Sequence, residues 1–249
     1  MGTLKIGRIL GPVMYLYRGK EIGSWKRLTA ICLRIIETGS PEEISNILPH
    51  IRVLRDQSFF DPLVRRLQDS DKELKIVSAL ALGSLGDEKC VETLRETYLA
   101  CKQEGYDQAD PLESALISAL GEVPCADSVG VLTEILAGEA SADQRTQRSQ
   151  LSVEALGQLA QQGIPEAEAE LRKLLSEEEK VLRGQIVAEL SLSYWHRPGE
   201  IPDELLDQFF GLTGDEIDEV RTAARAALTS LSQLGSDKAE DFLFRLSEA

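Results

Sequence analysis

Apolar residues recur along much of this chain at steps of three and four. Val220, Ala223, Ala224, Ala227, Leu228 and Leu231 fall at i, i+3, i+4, i+7, i+8 and i+11. That spacing marks one buried stripe of an α-helix and not a strand, whose period is two. Four further segments stack on this one without gaps over about twelve positions, beginning at Leu74, Leu112, Arg148 and Leu182. In chain order the five read LKIVSALALGSL, LESALISALGEV, RSQLSVEALGQL, LRGQIVAELSLS and VRTAARAALTSL. A leucine fills the ninth column of every copy: Leu82, Leu120, Leu156, Leu190 and Leu228. The copies start 38, 36, 34 and 38 residues apart, a period that belongs to stacked helix pairs.

After each segment comes a break and then a second helical pattern. The breaks are Gly86-Asp87, Pro124 to Asp127, Gly163 to Pro165, Pro198 to Pro202 and Gly235 to Asp237. Gly suits a helix C-cap, Asp or Ser the next N-cap, and Pro the first helical turn. The partner helices are predicted over 88–101, 127–137, 165–176, 202–212 and 237–248. Upstream, three more helices are predicted over 24–38, 41–55 and 58–69, the second announced by Ser40-Pro41-Glu42-Glu43. Residues 1–20 are less regular, and Gly11-Pro12 interrupts them. Gly105 to Pro111 and Gly138 to Gln147 read as polar loops. Gly83, Gly121 and Gly157 each follow the fixed leucine, where a missing side chain permits close helix packing.

These segments resemble the HEAT-like repeats first grouped with phycobilisome lyases. That family's unit pairs a V-R-x-x-A-A-x-A-L-G-x-L-G-D helix with a short D-x-x-A-x-x-x-L helix. Val220-Arg221, Ala223-Ala224, Leu82-Gly83 and Leu85-Gly86-Asp87 follow the first, and Asp237-Lys238-Ala239 with Leu243 follows the second. Arg148-Ser149 and Tyr194-Trp195-His196 depart from it. The resemblance covers about residues 58–249 and implies an all-α, right-handed α-α superhelix, a HEAT/armadillo-like solenoid of about six helix pairs. Residues 1–57 then form a basic N-terminal helical cap, and 58–249 about five repeats, the last one capping. The function implied is a non-catalytic scaffold or adaptor that binds a protein or peptide on the concave face. The alternative is a bilin lyase or lyase-like chaperone subunit acting on a tetrapyrrole-bearing protein. Cys90, Cys101 or Cys125 would serve that role only if exposed with a lowered pKa.

Composition and charge narrow the chemistry further. The net charge of −15 repels phosphates, which argues against nucleic acid as a partner. Residues 1–39 nevertheless hold Lys5, Arg8, Arg18, Lys20, Lys26, Arg27 and Arg34 against Glu21 and Glu37, a local balance of +5. A third reading is therefore an anionic-surface binder acting through the cap. Cys32, Cys90, Cys101 and Cys125 form no C-x-x-C pair, which points to a reducing, cytoplasmic setting. No apolar run reaches the roughly 18 to 20 residues of a membrane span. No P-loop, G-x-S-x-G, G-x-G-x-x-G or H-E-x-x-H is present, and no cofactor or metal is expected. His50 and His196 both lack the adjacent Glu of HEAT-like iron hydroxylases, and Glu177-Glu178-Glu179 reads as a solvated helix end.

Two places are candidates for partner binding. Columns two, three and six point away from the fixed leucines and are expected to line the inner surface. They include Lys75, Ile117, Val153, Arg183, Val187, Arg221 and Arg225, an apolar middle with a basic C-terminal end. The second place is Tyr194-Trp195-His196-Arg197-Pro198, because Trp, Tyr and Arg are enriched at binding hot spots. The alternative for each is burial: Ile117, Val153 and Val187 between helices, and Trp195 under the following loop. Phe59-Phe60 and Phe209-Phe210 read as core, and Trp25 as either.

Overall fold

Helices make up all the regular secondary structure among the described residues. The computed structural model describes residues 22–103, 110–138, 142–176 and 182–248. The first half holds α1 (Ile22–Thr38), α2 (Pro41–Leu54), α3 (Phe60–Leu67), α4 (Lys72–Leu85), α5 (Cys90–Gln103) and α6 (Pro111–Glu122). The second holds α7 (Ala126–Ala137), α8 (Ala142–Gln161), α9 (Pro165–Ser176), α10 (Arg183–Ser193), α11 (Asp203–Leu212), α12 (Asp218–Gln233) and α13 (Asp237–Glu248). Short 3-10 turns, Gln57–Phe59 and Pro198–Glu200, precede α3 and α11. None of the described helices is long and apolar enough to cross a membrane.

Local chemistry sets the ends. Ser40 accepts from the Glu43 N–H at 3.3 Å while the Glu43 carboxylate accepts from the Ser40 N–H at 3.0 Å, a reciprocal cap on α2. The Asp71 carboxylate accepts from the Glu73 and Leu74 N–H groups and starts α4. Gly86 ends α4 at φ 65°, a left-handed conformation open to glycine, with its N–H on the Gly83 carbonyl at 2.9 Å. One stretch departs from expectation. The polar run predicted as a loop to Gln147 is helical from Ala142 onwards. Ala, Gln and Arg are good helix formers, so polarity alone misread the start of α8.

The chain divides into two compact units, and the boundary falls inside α6, between Ala119 and Leu120. In the first unit α1 packs on α2 and α3, and both of these pack on α4. The described part of the expected cap, α1 and α2, therefore packs on α3 and α4 within one unit; Lys5, Arg8, Arg18 and Lys20 lie outside the described residues. Arg66 ties the pieces together, donating to the carbonyls of Ile36 and Gly39 at 2.8 Å each. Cys32 is fully buried in this unit, and burial pushes its thiol up to about 11.

In the second unit the packing alternates. Helix α10 packs on α8 and α12, two helices away on either side, and also on its neighbour α9. Helix α7 packs on α9, and α11 on α13, in the same next-but-one manner. The ninth-column leucines Leu82, Leu120, Leu156, Leu190 and Leu228 are all fully buried. Burying each contributes roughly 1.5–3 kcal/mol.

The glycines after them let backbones meet. A Cβ on Gly83 would lie 2.7 Å from the Ala119 Cα, and one on Gly121 would lie 2.8 Å from the Ala155 Cα. Each glycine thus receives the eighth-column alanine of the next copy.

Candidate functional site

The five stacked segments lie on α4, α6, α8, α10 and α12, and their burial shows which columns meet solvent. Columns five, nine and twelve are buried in every copy, and column six in all but the last. Columns three and seven contain no buried residue. Ile117, Val153 and Val187 are each 0% exposed, so the expected apolar groove is interhelix core. The reason is coverage. A helix such as α10, flanked by α8 and α12 and backed by α9, keeps only a narrow stripe open, with positions four residues apart.

The basic residues of the expected surface are occupied in a different way. Arg183 pairs with the buried Asp215 carboxylate at 3.2 Å. Arg221 donates to the carbonyls of Asp215 at 2.8 Å and Glu216 at 3.0 Å, and to the Asp218 carboxylate at 2.8 Å. Both side chains thus fasten the loop before α12, and Asp215 also caps the Ile217 N–H at 2.9 Å. Arg225 is exposed on α12, and Lys75 is half-buried on α4 in the other unit. Phe59 and Phe209 are core, Phe210 stacks on Phe242 with centroids 4.4 Å apart, and Trp25 is partly exposed.

The Tyr194-Trp195-His196-Arg197 turn, by contrast, does present a surface. Trp195 stands 47% exposed directly after α10, and Leu192 on its last turn is also 47% exposed. Beneath them the turn is clamped. Tyr194 is buried and donates its hydroxyl to the Glu168 carboxylate of α9. Arg172 donates to the Tyr194 oxygen at 2.8 Å and pairs with Glu168 at 2.6 Å. Arg197 reaches the other Glu168 oxygen at 3.0 Å, donates to the Ser193 carbonyl at 3.2 Å, and lies over the Tyr194 ring at 4.8 Å. Burial, then the bond to Glu168, pushes the Tyr194 phenol up to about 12. One carboxylate thereby holds two guanidiniums and a phenol, and fixes the path of the chain through Trp195.

An open cleft of about 390 Å³ runs beside this turn, lined by Gln161, Leu192, Ser193, Trp195, His196 and Arg197. Next to it lies an exception to the repeat. Column eight is alanine in the other four copies, at Ala81, Ala119, Ala155 and Ala227, but Glu189 in the fourth. Its carboxylate rests on Gly157, where an added Cβ would come within 2.1 Å of Oε2. Gln161 donates to it at a long 3.5 Å. Burial, then the charge of Glu154, raises the carboxyl to about 7.

Leu192 is a second exception, apolar in a column that elsewhere holds Ser84, Glu122, Gln158 and Ser230. The fourth copy thus breaks the pattern at Glu189, at Leu192 and in its ending, and Gln161 touches both Glu189 and the cleft. Sequence reading singled out Trp195 but passed over Leu192, Glu189 and Gln161. The signal was the departure of Glu189 and Leu192 from their own columns, whereas Gln161 lies beyond the stacked columns and carried none.

The arrangement suits recognition of a side chain. Trp195 and Leu192 offer apolar contact, while the Ser193 hydroxyl is spent on the Leu190 carbonyl at 2.8 Å. No cysteine lines the cleft; Cys90 is buried, and Cys101 and Cys125 are half-buried elsewhere. A scan against protein-family models finds no match for this chain, and a search of curated proteins finds none either.

Proposed function

We propose that this chain is a binding module that holds another protein and catalyses no reaction of its own. In this reading its helix pairs stack as HEAT-like repeats in a right-handed superhelix of about six pairs. The spacing of 34 to 38 residues and the alternate packing of α8, α10 and α12 support it. All four cysteines are free, which suits a reducing cytoplasmic setting. The docking surface is the cleft beside Trp195, in place of the inner face, whose Ile117, Val153 and Val187 are core.

One observation carries the reading: Trp195 and Leu192, each 47% exposed, stand on a turn clamped by Glu168. A large apolar side chain carried on an already fixed turn costs little backbone freedom on binding. The test is affinity capture from host lysate by the wild type and by Trp195→Ala/Leu192→Ser. Both residues are exposed, so the double variant is expected to fold, as circular dichroism will report. A partner captured by the wild type and weakened about thirtyfold or more by the folded variant supports the reading. A partner retained by both moves the binding surface elsewhere.

A further inference from the structure

The pattern breaks of the fourth repeat include a charge as well as apolar surface. Glu189 replaces a buried alanine, and its carboxylate has Gln161 at 3.5 Å as its hydrogen-bond contact and Glu154 as a like-charged neighbour. The two guanidiniums at the turn are already committed. Arg172 and Arg197 are held by Glu168, and Arg197 also reaches Glu200 at 3.6 Å. Glu168 is thus met by two guanidiniums, whereas the charged neighbour of Glu189 is Glu154. Glu154 and Gln161 lie seven residues apart on one stripe of α8, and Glu189 and Leu192 three apart on α10, which packs against α8. Through Gln161, which lines the cleft and donates to the Glu189 carboxylate, Glu189 adjoins the cleft of Trp195 and Leu192.

We propose that the Trp195 cleft takes a basic, apolar peptide segment of a partner protein, seating an aliphatic or aromatic side chain against Trp195 and Leu192 and a Lys or Arg against Glu189. This deepens the binding role assigned above and rests on it. Charge complementarity selects the occupant. A carboxylate without a cation is matched by one from outside, and an exposed indole adds attraction for an ammonium or guanidinium. An acidic segment would meet like charge at Glu154 and Glu189, which is costly. A purely apolar segment would leave the Glu189 carboxylate desolvated and unpaired. Burial, and then the like charge of Glu154, raises the Glu189 carboxyl.

The test pans a random twelve-residue peptide library on the immobilised full chain, with Trp195→Ala as the counter-selection. Selected peptides are then titrated in solution against wild type, Trp195→Ala and Glu189→Gln. The expected result is a set of Trp195-dependent sequences that place Lys or Arg within about four residues of an aliphatic or aromatic residue, one turn of helix. Glu189→Gln weakens them about tenfold. It is nearly isosteric, and urea unfolding will show it at least as stable as the wild type, so misfolding does not explain the loss. Trp195-dependent peptides without a cation, or indifferent to Glu189→Gln, overturn this inference and leave the binding role intact. A selection with no Trp195-dependent peptides overturns both.

Discussion

Glu189 stands where four of the five stacked segments carry alanine, and its carboxyl is raised from 4.5 to about 7. The folded chain therefore binds this proton more tightly than the unfolded one. The group's contribution to stability is full below about pH 4.5 and declines as pH rises through 7. Glu189→Gln removes that decline. At pH 8 the variant is expected to be more stable by about 1 kcal/mol, less than the full shift because the carboxylate keeps some contact with water. Urea denaturation at pH 5 and pH 8 checks this; equal midpoints at pH 8 would mean the carboxylate is already compensated. Glu168 is the opposite case, since its charge is met on every side. Glu168→Ala removes the shared partner of Arg172, Arg197 and the Tyr194 hydroxyl, and is expected to cost about 3 kcal/mol. Trp195 fluorescence anisotropy, recorded in a Trp25→Phe background, should fall with it as the turn loosens.

Between helices, the contacts reduce to what a methyl group meets. Gly121→Ala places a Cβ 2.8 Å from the Ala155 Cα, so the backbones of α6 and α8 must part. The expected loss is about 1–3 kcal/mol, despite the better helix propensity of alanine. Gly130 is the control, because a Cβ there meets nothing within 4 Å on the exposed side of α7. Gly130→Ala is expected to stabilise by about 0.5–1 kcal/mol. Opposite shifts in the urea midpoints of these variants confirm that the glycine after the fixed leucine is a packing device. Shifts of the same sign would remove that role.

For the molecule as a whole, the relevant quantity is the net charge of −15. It favours encounter with the kind of basic partner proposed above, and an association of that kind is salt-dependent. Peptides selected on the Trp195 cleft are expected to bind several-fold more weakly at about 500 mM than at about 50 mM NaCl, as screening shortens the reach of Glu154 and Glu189. Titration at the two salt concentrations measures it. Affinity unchanged by salt would point to apolar contact alone.

How much of this was legible beforehand differs from feature to feature. The ninth-column leucines, the start of α2 at Ser40-Pro41-Glu42-Glu43 and the second helices at 165–176 and 237–248 were readable because each rests on spacing or on a group a few residues away. The division inside α6 was not, since its segment repeats the same pattern as the others. Nor was the role of Arg183 and Arg221, whose partners lie in a loop that folds back onto them. Periodicity determined that the chain is helical and paired, because a stripe every 3.6 residues admits one way of hiding it. Only the tertiary structure decided that Ile117, Val153 and Val187 are core and that Trp195 stands in solvent. How many neighbours a helix acquires sets how wide an arc it buries, and that number is a property of the assembled layers and not of any one segment.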